Sequence, residues 1–400
     1  MRRNQANKRS RSNPYQCGPS GFLLRGGCSD ASTFSVGPVN VGAKTDSAST
    51  RAVVPFLVVP SASESVPTVT PLDPLDRQIA ESLQINGRAS WRAIAHCLES
   101  PERTVTRRGQ SMLDNGVVRV STYLDTTRVG NARPLILTAF TEPGQSLEIG
   151  QKIATRSDAS SVSVLEGNNH LVCMLIPSDD NSRRELLFRD LPLLEGLRET
   201  TISTVLRYFR AGHDWSIGEL PGEVRTTLMN LPASDPIRSD PVELDDDDWR
   251  LIAELARDGR ESIASLARSL GLSSQTIQRR LNALFETGAI HIRTEVSPAL
   301  FGLQVEVLVW IQVPPSGVEP LGRALATHPA VRFCAATTGP SQILLNCLFP
   351  HQNALYEFLT DYLGTHGASR VADVAVVVVA LRRGPLVVPI PVFNKYETAN

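Results

Sequence analysis

Gln275, Gln278, Arg279 and Asn282 recur at intervals of three and four, so on a helix they share one face. The chemistry of that face is bidentate: a glutamine amide matches the edge of an adenine, and a guanidinium matches guanine or a phosphate. Ser274, Thr276 and Arg280 extend the same stretch, and Arg103, Thr104, Thr106, Arg107 and Arg108 form a second one. The whole chain has a net charge of -1, which advertises no polyanion partner. Locally the balance differs. Residues 260–280 hold four Arg against one Glu, and residues 88–108 five Arg against two Glu, a net +3 in each. The plain alternative is a solvated arginine face on an ordinary helix bundle.

Other chemistry finds little support. There is no G-x-G-x-x-G, Walker A, G-x-S-x-G or H-E-x-x-H pattern, so the usual nucleotide, hydrolase and zinc signatures are missing. The six cysteines (17, 28, 97, 173, 334 and 347) form no C-x-x-C pair, and the seven histidines are scattered. No metal or cofactor is expected, and reduced thiols in a cytoplasmic protein are the simplest reading. No apolar run reaches the roughly 18–20 residues that span a bilayer, and the best, Ala52 to Pro60, carries two prolines. Trp91, Trp249 and Trp310 fall inside expected elements and read as packing residues. The arginines between Arg2 and Arg11 read as solvated.

What must position the candidate residues emerges from a repeat. At 400 residues the chain is long enough for roughly two to four domains, with 42% hydrophobic residues to fill their cores. Shifting the sequence by 172 positions lays Leu72 on Leu244, Asp73 on Asp245, Asp76 on Asp248, Gly87 on Gly259 and Arg88 on Arg260. The same register lays Ser90 on Ser262, Arg107 on Arg279, Arg108 on Arg280, Gly116 on Gly288 and Gly167 on Gly339. Chance does not hold one ungapped register this long, so the chain is a tandem duplication.

In the second copy, Asp245–Asp248 suits a helix N-terminus, Leu251, Ile252 and Leu255 mark its apolar face, and Asp258-Gly259 stops it through a positive φ. Ser262 caps a second helix ending at Gly271, and Ser273 or Ser274 caps a third with Ile277, Leu281 and Leu284 inward. Ala289–Arg293 follows as a short strand. Three short helices with a glycine turn before the last make a helix-turn-helix. Beyond it, Val305–Val313, Glu319–His328, Val331–Thr337, Ile343–Phe349, Asn353–Leu363 and Val371–Leu381 read as β, α, β, β, α and β. The fold class is therefore α+β: a twofold repeat of a winged helix-turn-helix and a ferredoxin-like βαββαβ module.

The string L-D-x-x-D, D-G-R, L-A-x-x-L-G-L-S, T-I-x-R-R and L-x-x-x-G-A-I, from Leu244 to Ile292, resembles the Lrp/AsnC family of transcription regulators. The first copy matches through L-D-P-L-D at 72–76, N-G-R at 86–88, T-V-T-R-R at 104–108 and N-G-V-V at 115–118. The resemblance implies sequence-specific binding of double-stranded DNA through the residues above, modulated by a small-molecule effector such as an amino acid. It also implies effector contacts at the turns Gly339, Pro340, Ser341, Gln342 and Gly167, Asn168, Asn169, His170, and self-association through the ferredoxin-like sheets. The family's acidic residue after the turn glycine appears here as His170 and Gln342. Two other readings share the architecture: a siroheme-decarboxylase-like enzyme, and a non-DNA-binding partner of another regulator.

The first copy departs from the second in its helix-turn-helix. Gly109 stands for Leu281, and Glu99-Ser100-Pro101 replaces Gly271-Leu272-Ser273. With Ser100 as N-cap and Pro101 at the first helical position the third helix still forms, but the first head is expected to be less stable and to contact mainly phosphates. The resulting layout is a disordered extension at 1–71, helix-turn-helix units at 72–121 and 244–293, and sensing modules at 133–212 and 303–384. A linker at 213–243 with four prolines and a tail at 385–400 complete it.

Overall fold

A computed structural model describes residues 59–60, 72–125, 128–129, 133–166, 170–229, 242–365, 370–384 and 386–387. The expected extension at 1–71 and tail at 385–400 lie outside these residues, apart from β1 (Val59–Pro60) and two residues near the C-terminus.

The first helix-turn-helix is built from α1 (Pro74–Ile85), α2 (Trp91–Cys97) and α3 (Glu102–Asp114), followed by β2 (Val118–Leu124). The first sensing module follows as β3 (Leu135–Thr141), α4 (Ser146–Ala154), β4 (Ala159–Leu165), β5 (Leu171–Leu175), α5 (Asp180–Glu185) and β6 (Leu197–Arg210). After α6 (Gly222–Leu228) the pattern repeats with α7 (Asp246–Arg257), α8 (Ile263–Leu270), α9 (Ser274–Glu286) and β7 (Ile290–Val296). The second sensing module holds β8 (Val305–Gln312), α10 (Pro315–Thr327), β9 (Val331–Thr337), β10 (Ile343–Phe349), α11 (Gln352–Glu357) and β11 (Arg370–Arg383), and β12 (Leu386–Val387) follows. The βαββαβ order of each module is as read from the sequence. Two helix bounds differ: α10 begins at Pro315, and α11 passes at Phe358 into a wide turn that runs to Tyr362.

Local chemistry explains the helix starts. Asp245 and Asp248 cap one another's backbone N–H at the head of α7, a reciprocal box that satisfies two orphan donors. Ser262 and Ser273 accept from Ser265 N and Thr276 N in the same way. Gly271 ends α8 at φ 70°. Gly259 acts otherwise than expected. Its φ is not positive; it is needed because a Cβ there would come within 2.9 Å of the Ser121 backbone.

The first head reaches the same shape by other means. A Cβ on Gly109 would fall 2.3 Å from the Trp91 indole, so the tryptophan fills the volume that Leu281 fills in the second copy. The missing side chain thus leaves no hole, which removes the main reason to expect a weaker core. Glu99 holds the turn at φ 48°, left-handed without a glycine. Ser100 does not cap α3. The N-cap is Pro101, without a side-chain bond, and the Ser100 hydroxyl donates to the Leu98 carbonyl.

The two copies meet through two antiparallel seams. In the first, β2 pairs with β7 in a two-stranded ribbon whose central pair, Ser121 opposite Arg293, joins positions that correspond in the repeat. In the second, the sheets of the sensing modules merge. The strands run β11-β4-β5-β3-β6-β9-β10-β8, and β8 pairs back onto β11, so four strands from each copy close into a ring. The long strands β6 and β11 do the joining, each pairing with its own module first and with the other copy afterwards. Val205 opposite Thr337 and Val377 opposite Leu165 are the same pair under the 172-residue shift. The sheet association that the resemblance implies is made here between the two copies of one chain, and a closed ring offers no free edge.

Alternation places one face of each strand against its module's helices, as with Leu135, Leu137 and Ile153 in one copy and Val309, Ile311 and Leu325 in the other. The other face points into the ring, where Ile136, Val172, Val205, Leu308, Leu344 and Ala375 form a shared core. The first part of the expected linker is ordered as a strap on the first head. The buried Glu81 carboxylate accepts from Gly218 N, Glu219 N and Leu220 N at 2.8–2.9 Å, and Leu220 and Leu228 enter the core beside it. Residues 230–241 lie outside the described set.

Candidate nucleic-acid interface

The third helices present the polar faces that their spacing implies. On α9, Ser274, Gln275, Gln278, Arg279 and Asn282 are exposed, with the Gln278 amide donating to Asn282 at 2.8 Å. Thr276 is half-buried, its hydroxyl 2.9 Å from that of the cap Ser273. On α3, Arg103 and Arg107 are exposed while Thr104 and Thr106 are half-buried.

Arg280 and Arg108 behave differently from their neighbours. Arg280 reaches back to the head of α7 and binds Asp245 and Asp248 at 2.8 Å and Asp247 at 3.3 Å. Arg108 makes the equivalent bridge to Asp73 and, at 3.0 Å, to Asp76. The Asp245 carboxyl is held below the usual carboxylate range by the Asp248 N–H and then by Arg280. Both arginines are already paired and lock the third helix onto the first, so the outward role given to them in the sequence reading does not fit their geometry.

A second pair of arginines was recognised in the sequence only as part of a motif. Arg88 donates to the carbonyls of Gly259 and Glu261, and Arg260 donates to those of Gly87 and Ala89. Each head thus inserts a guanidinium into the loop between the other's first and second helices, where it satisfies two backbone carbonyls. Arg260 also stacks on Trp91, 4.5 Å from the ring centroid. Burial lowers the affinity of both guanidiniums for their protons. This reciprocal bracket ties the two helix-turn-helix units to each other. Its sequence signal is an arginine identical in both copies yet outside the third helix.

Of the turn residues proposed for effector contact, Gly167, Asn168 and Asn169 lie outside the described residues. Gly339 sits at φ 97°, where a Cβ would press within 2.7 Å of the Ser203 hydroxyl. Pro340 and Ser341 line a cavity of about 210 Å3 between the copies, together with Thr201, Trp310 and Asp373. The Gln342 side chain closes its own turn, accepting from Val313 N at 3.1 Å and donating to Gly339 O at 3.4 Å. The His170 Nδ1 lies 3.3 Å from Thr141 N and 3.2 Å from its hydroxyl. Among the described residues no cluster of His, Cys, Asp or Glu could hold a metal ion.

A model of the AsnC-type helix-turn-helix domain matches residues 72–113 and again 244–284, and one of the Lrp/AsnC ligand binding domain matches 306–383. A helix-turn-helix-type transcriptional regulator of Mycobacterium tuberculosis is 32% identical over 110 residues, 26% of this chain and 72% of the relative. The chain belongs to the Lrp/AsnC family of transcription regulators. An uncharacterized helix-turn-helix-type regulator of Pyrococcus furiosus is 27% identical over 143 residues, 36% of this Lrp/AsnC protein and 97% of the relative. Such relatives span about one copy of the repeat. Over the duplicated length, the crystal structure of the siroheme decarboxylase NirDL covers 78% of the present regulator and 93% of its own chain. Its TM-score is 0.52 at 12% identity, a likeness of fold alone. The ligand-domain model matches only the second sensing module, whereas the structure gives both modules one topology.

Proposed function

We propose that this regulator grips one DNA site with both heads at once, α9 reading base edges and α3 holding mainly the backbone. One observation supports this above all: two third helices with exposed Gln275, Gln278 and Arg279, and Arg103 and Arg107, are braced by the Arg88–Arg260 bracket and by a ribbon with twofold register. Ser274, Thr276, Thr104 and Thr106 add hydroxyls for phosphates, and Arg280 and Arg108 position the helices without touching DNA. Two heads on one chain gain effective concentration for adjacent half-sites. Because the heads differ, the operator is an imperfect palindrome.

The protein works in the cytoplasm as a regulator and not as an enzyme, and a small molecule modulates it. No helix among the described residues is long and apolar enough to cross a membrane. The cavity behind Pro340 and Ser341 is one place where an effector such as an amino acid fits. The likeness to the siroheme decarboxylase is one of fold at 12% identity, whereas the relative matched at 32% identity is a transcriptional regulator, which favours the regulator over a siroheme-decarboxylase-like enzyme.

Sequencing DNA fragments retained by the full chain tests the reading. The expected result is an asymmetric pair of half-sites. Gln275→Ala combined with Arg279→Ala should weaken specific binding by about 2–5 kcal/mol and make it less dependent on salt. An affinity and salt slope unchanged in that variant would exclude α9 as the reading helix.

A further inference from the structure

At its end nearest the ribbon the strand ring encloses a second cavity, of about 190 Å3, with Tyr123 and Arg293 of the ribbon in its wall. The walls of this cavity come from both copies, and at several corresponding positions the copies have diverged. The second copy contributes Arg293, Glu306, Arg332, Phe333 and Arg383; at the same places the first copy has Ser121, Pro134, Ser160, Ser161 and Ala211. At these positions large side chains of the second copy correspond to small ones of the first, Ser160, Ser161 and Ala211 leaving space in the wall, while Tyr208 and Asp125 of the first copy stand where the second has Ala380 and Ser297. A symmetric pair of identical copies could not make such a site without making it twice.

The charges are arranged and not merely trapped. Glu306 is held by Arg383 at 3.0 Å and by the Asn346 amide at 2.9 Å. Glu295, just behind the wall, receives Arg332 at 3.0 Å and also Arg293. Burial alone would raise the Glu306 carboxyl, but Arg383 and Arg332 outweigh it and bring it to about 2. Burial lowers the neighbouring His213 to about 4, so that ring is neutral at pH 7. Arg383 is matched by Glu306, whereas Arg293 and Arg332 share the single carboxylate of Glu295. One excess positive charge in a low-dielectric space favours an anion. The remaining wall is apolar, with Ile136, Val172, Leu308 and Leu344. A cavity of about 150 Å3 already accommodates benzene.

We infer that this cavity binds a small organic monoanion about one ring in size, its carboxylate toward Arg293 and Arg332 and its apolar body against Ile136 and Leu344. Occupancy is transmitted to the heads, a part of the inference that rests on the DNA-binding reading above. Arg293 lies at the centre of the ribbon, opposite Ser121, and is tied to Glu295. A ligand carboxylate competes with Glu295 for Arg293 while Arg332 keeps Glu295 paired, and so it acts on β7, which follows the second head and pairs with β2 of the first. The contact of the Tyr123 hydroxyl with the His213 imidazole, 2.9 Å to Nε2, ties the opposite strand to the same wall.

Calorimetric titration of the full chain with benzoate, phenylacetate and salicylate, and with benzamide and benzylamine as neutral and cationic controls, tests the site. At least one carboxylate should bind at millimolar concentration or tighter, at least tenfold better than either control. Ser161→Phe, which places the other wall's residue in the space, should abolish this binding. Arg293→Gln should weaken it about tenfold and settles the matter if Ser161→Phe fails to fold. Failure of all three carboxylates at millimolar concentration, or equal binding by both variants, overturns the site. If DNA is never retained, this titration still stands as a test of the cavity. Where DNA is bound, saturating carboxylate should change its affinity at least fivefold in the wild type and not in Arg293→Gln; no change overturns the coupling.

Discussion

The two helix-turn-helix units share one register and one shape but close their cores from opposite sides. In the second head the bulk comes from the third helix, where Leu281 packs beside Ile263 of the second. In the first head the bulk comes from the second helix, where Trp91 lies over Gly109. The turn before the third helix shows the same pattern, left-handed in both, with Gly271 in one and Glu99 in the other. A glycine within a helix looks like a defect when read alone. Beside a tryptophan 18 residues earlier it is one half of a volume-conserving exchange. The exchange also has a consequence across the seam, because Trp91 gives Arg260 a ring to stack on. Arg88 finds only the position of Ile263, so the bracket between the heads is stronger on one side.

Arg260→Ala is expected to show the largest effect, a loss of about 3 kcal/mol in chemical denaturation, since two buried carbonyls lose a charged donor and Trp91 loses its cation. Arg88→Ala should cost about 1 kcal/mol less. Equal losses in the two variants would remove the asymmetry claimed for the bracket. Next in size is Gly109→Leu, which should destabilise the first head by about 1–3 kcal/mol through its clash with Trp91. The double variant Gly109→Leu with Trp91→Ile should recover most of that, although without the Arg260 stacking. Additive losses in this cycle would show that the two residues do not share one volume. Smallest is Glu99→Gly, expected to raise the unfolding midpoint by an amount equivalent to about 1 kcal/mol by relieving a left-handed glutamate. Destabilisation by that glycine would mean that Glu99 is held by contacts worth more than its strain.

Much of this fold was legible because its signals are local or periodic. The serine caps, the glycine stops at Gly271 and Gly288, and the alternating strands each depend on a few neighbouring residues, and the 172-residue register needs only counting. The candidate reading face was legible for the same reason: helical spacing alone puts Gln275, Gln278 and Arg279 on one side. Partner choice was not. Arg279 and Arg280 are adjacent and chemically identical, yet only the second finds three carboxylates at the head of α7. Gly259 appeared to be a stop signal and proved to be a clearance for a strand from the other copy.

By itself the sequence determined a duplicated α+β chain with two arginine-bearing third helices, because helix periodicity, capping and strand alternation act over distances the chain sets directly. Only the tertiary structure decided that the two copies close one ring, bracket each other's heads and leave a charged cavity on a single side. Those features depend on which side chains from residues some 172 positions apart meet in space. Burial, packing volume and charge compensation at such meetings are properties of the pair, and neither residue carries them alone.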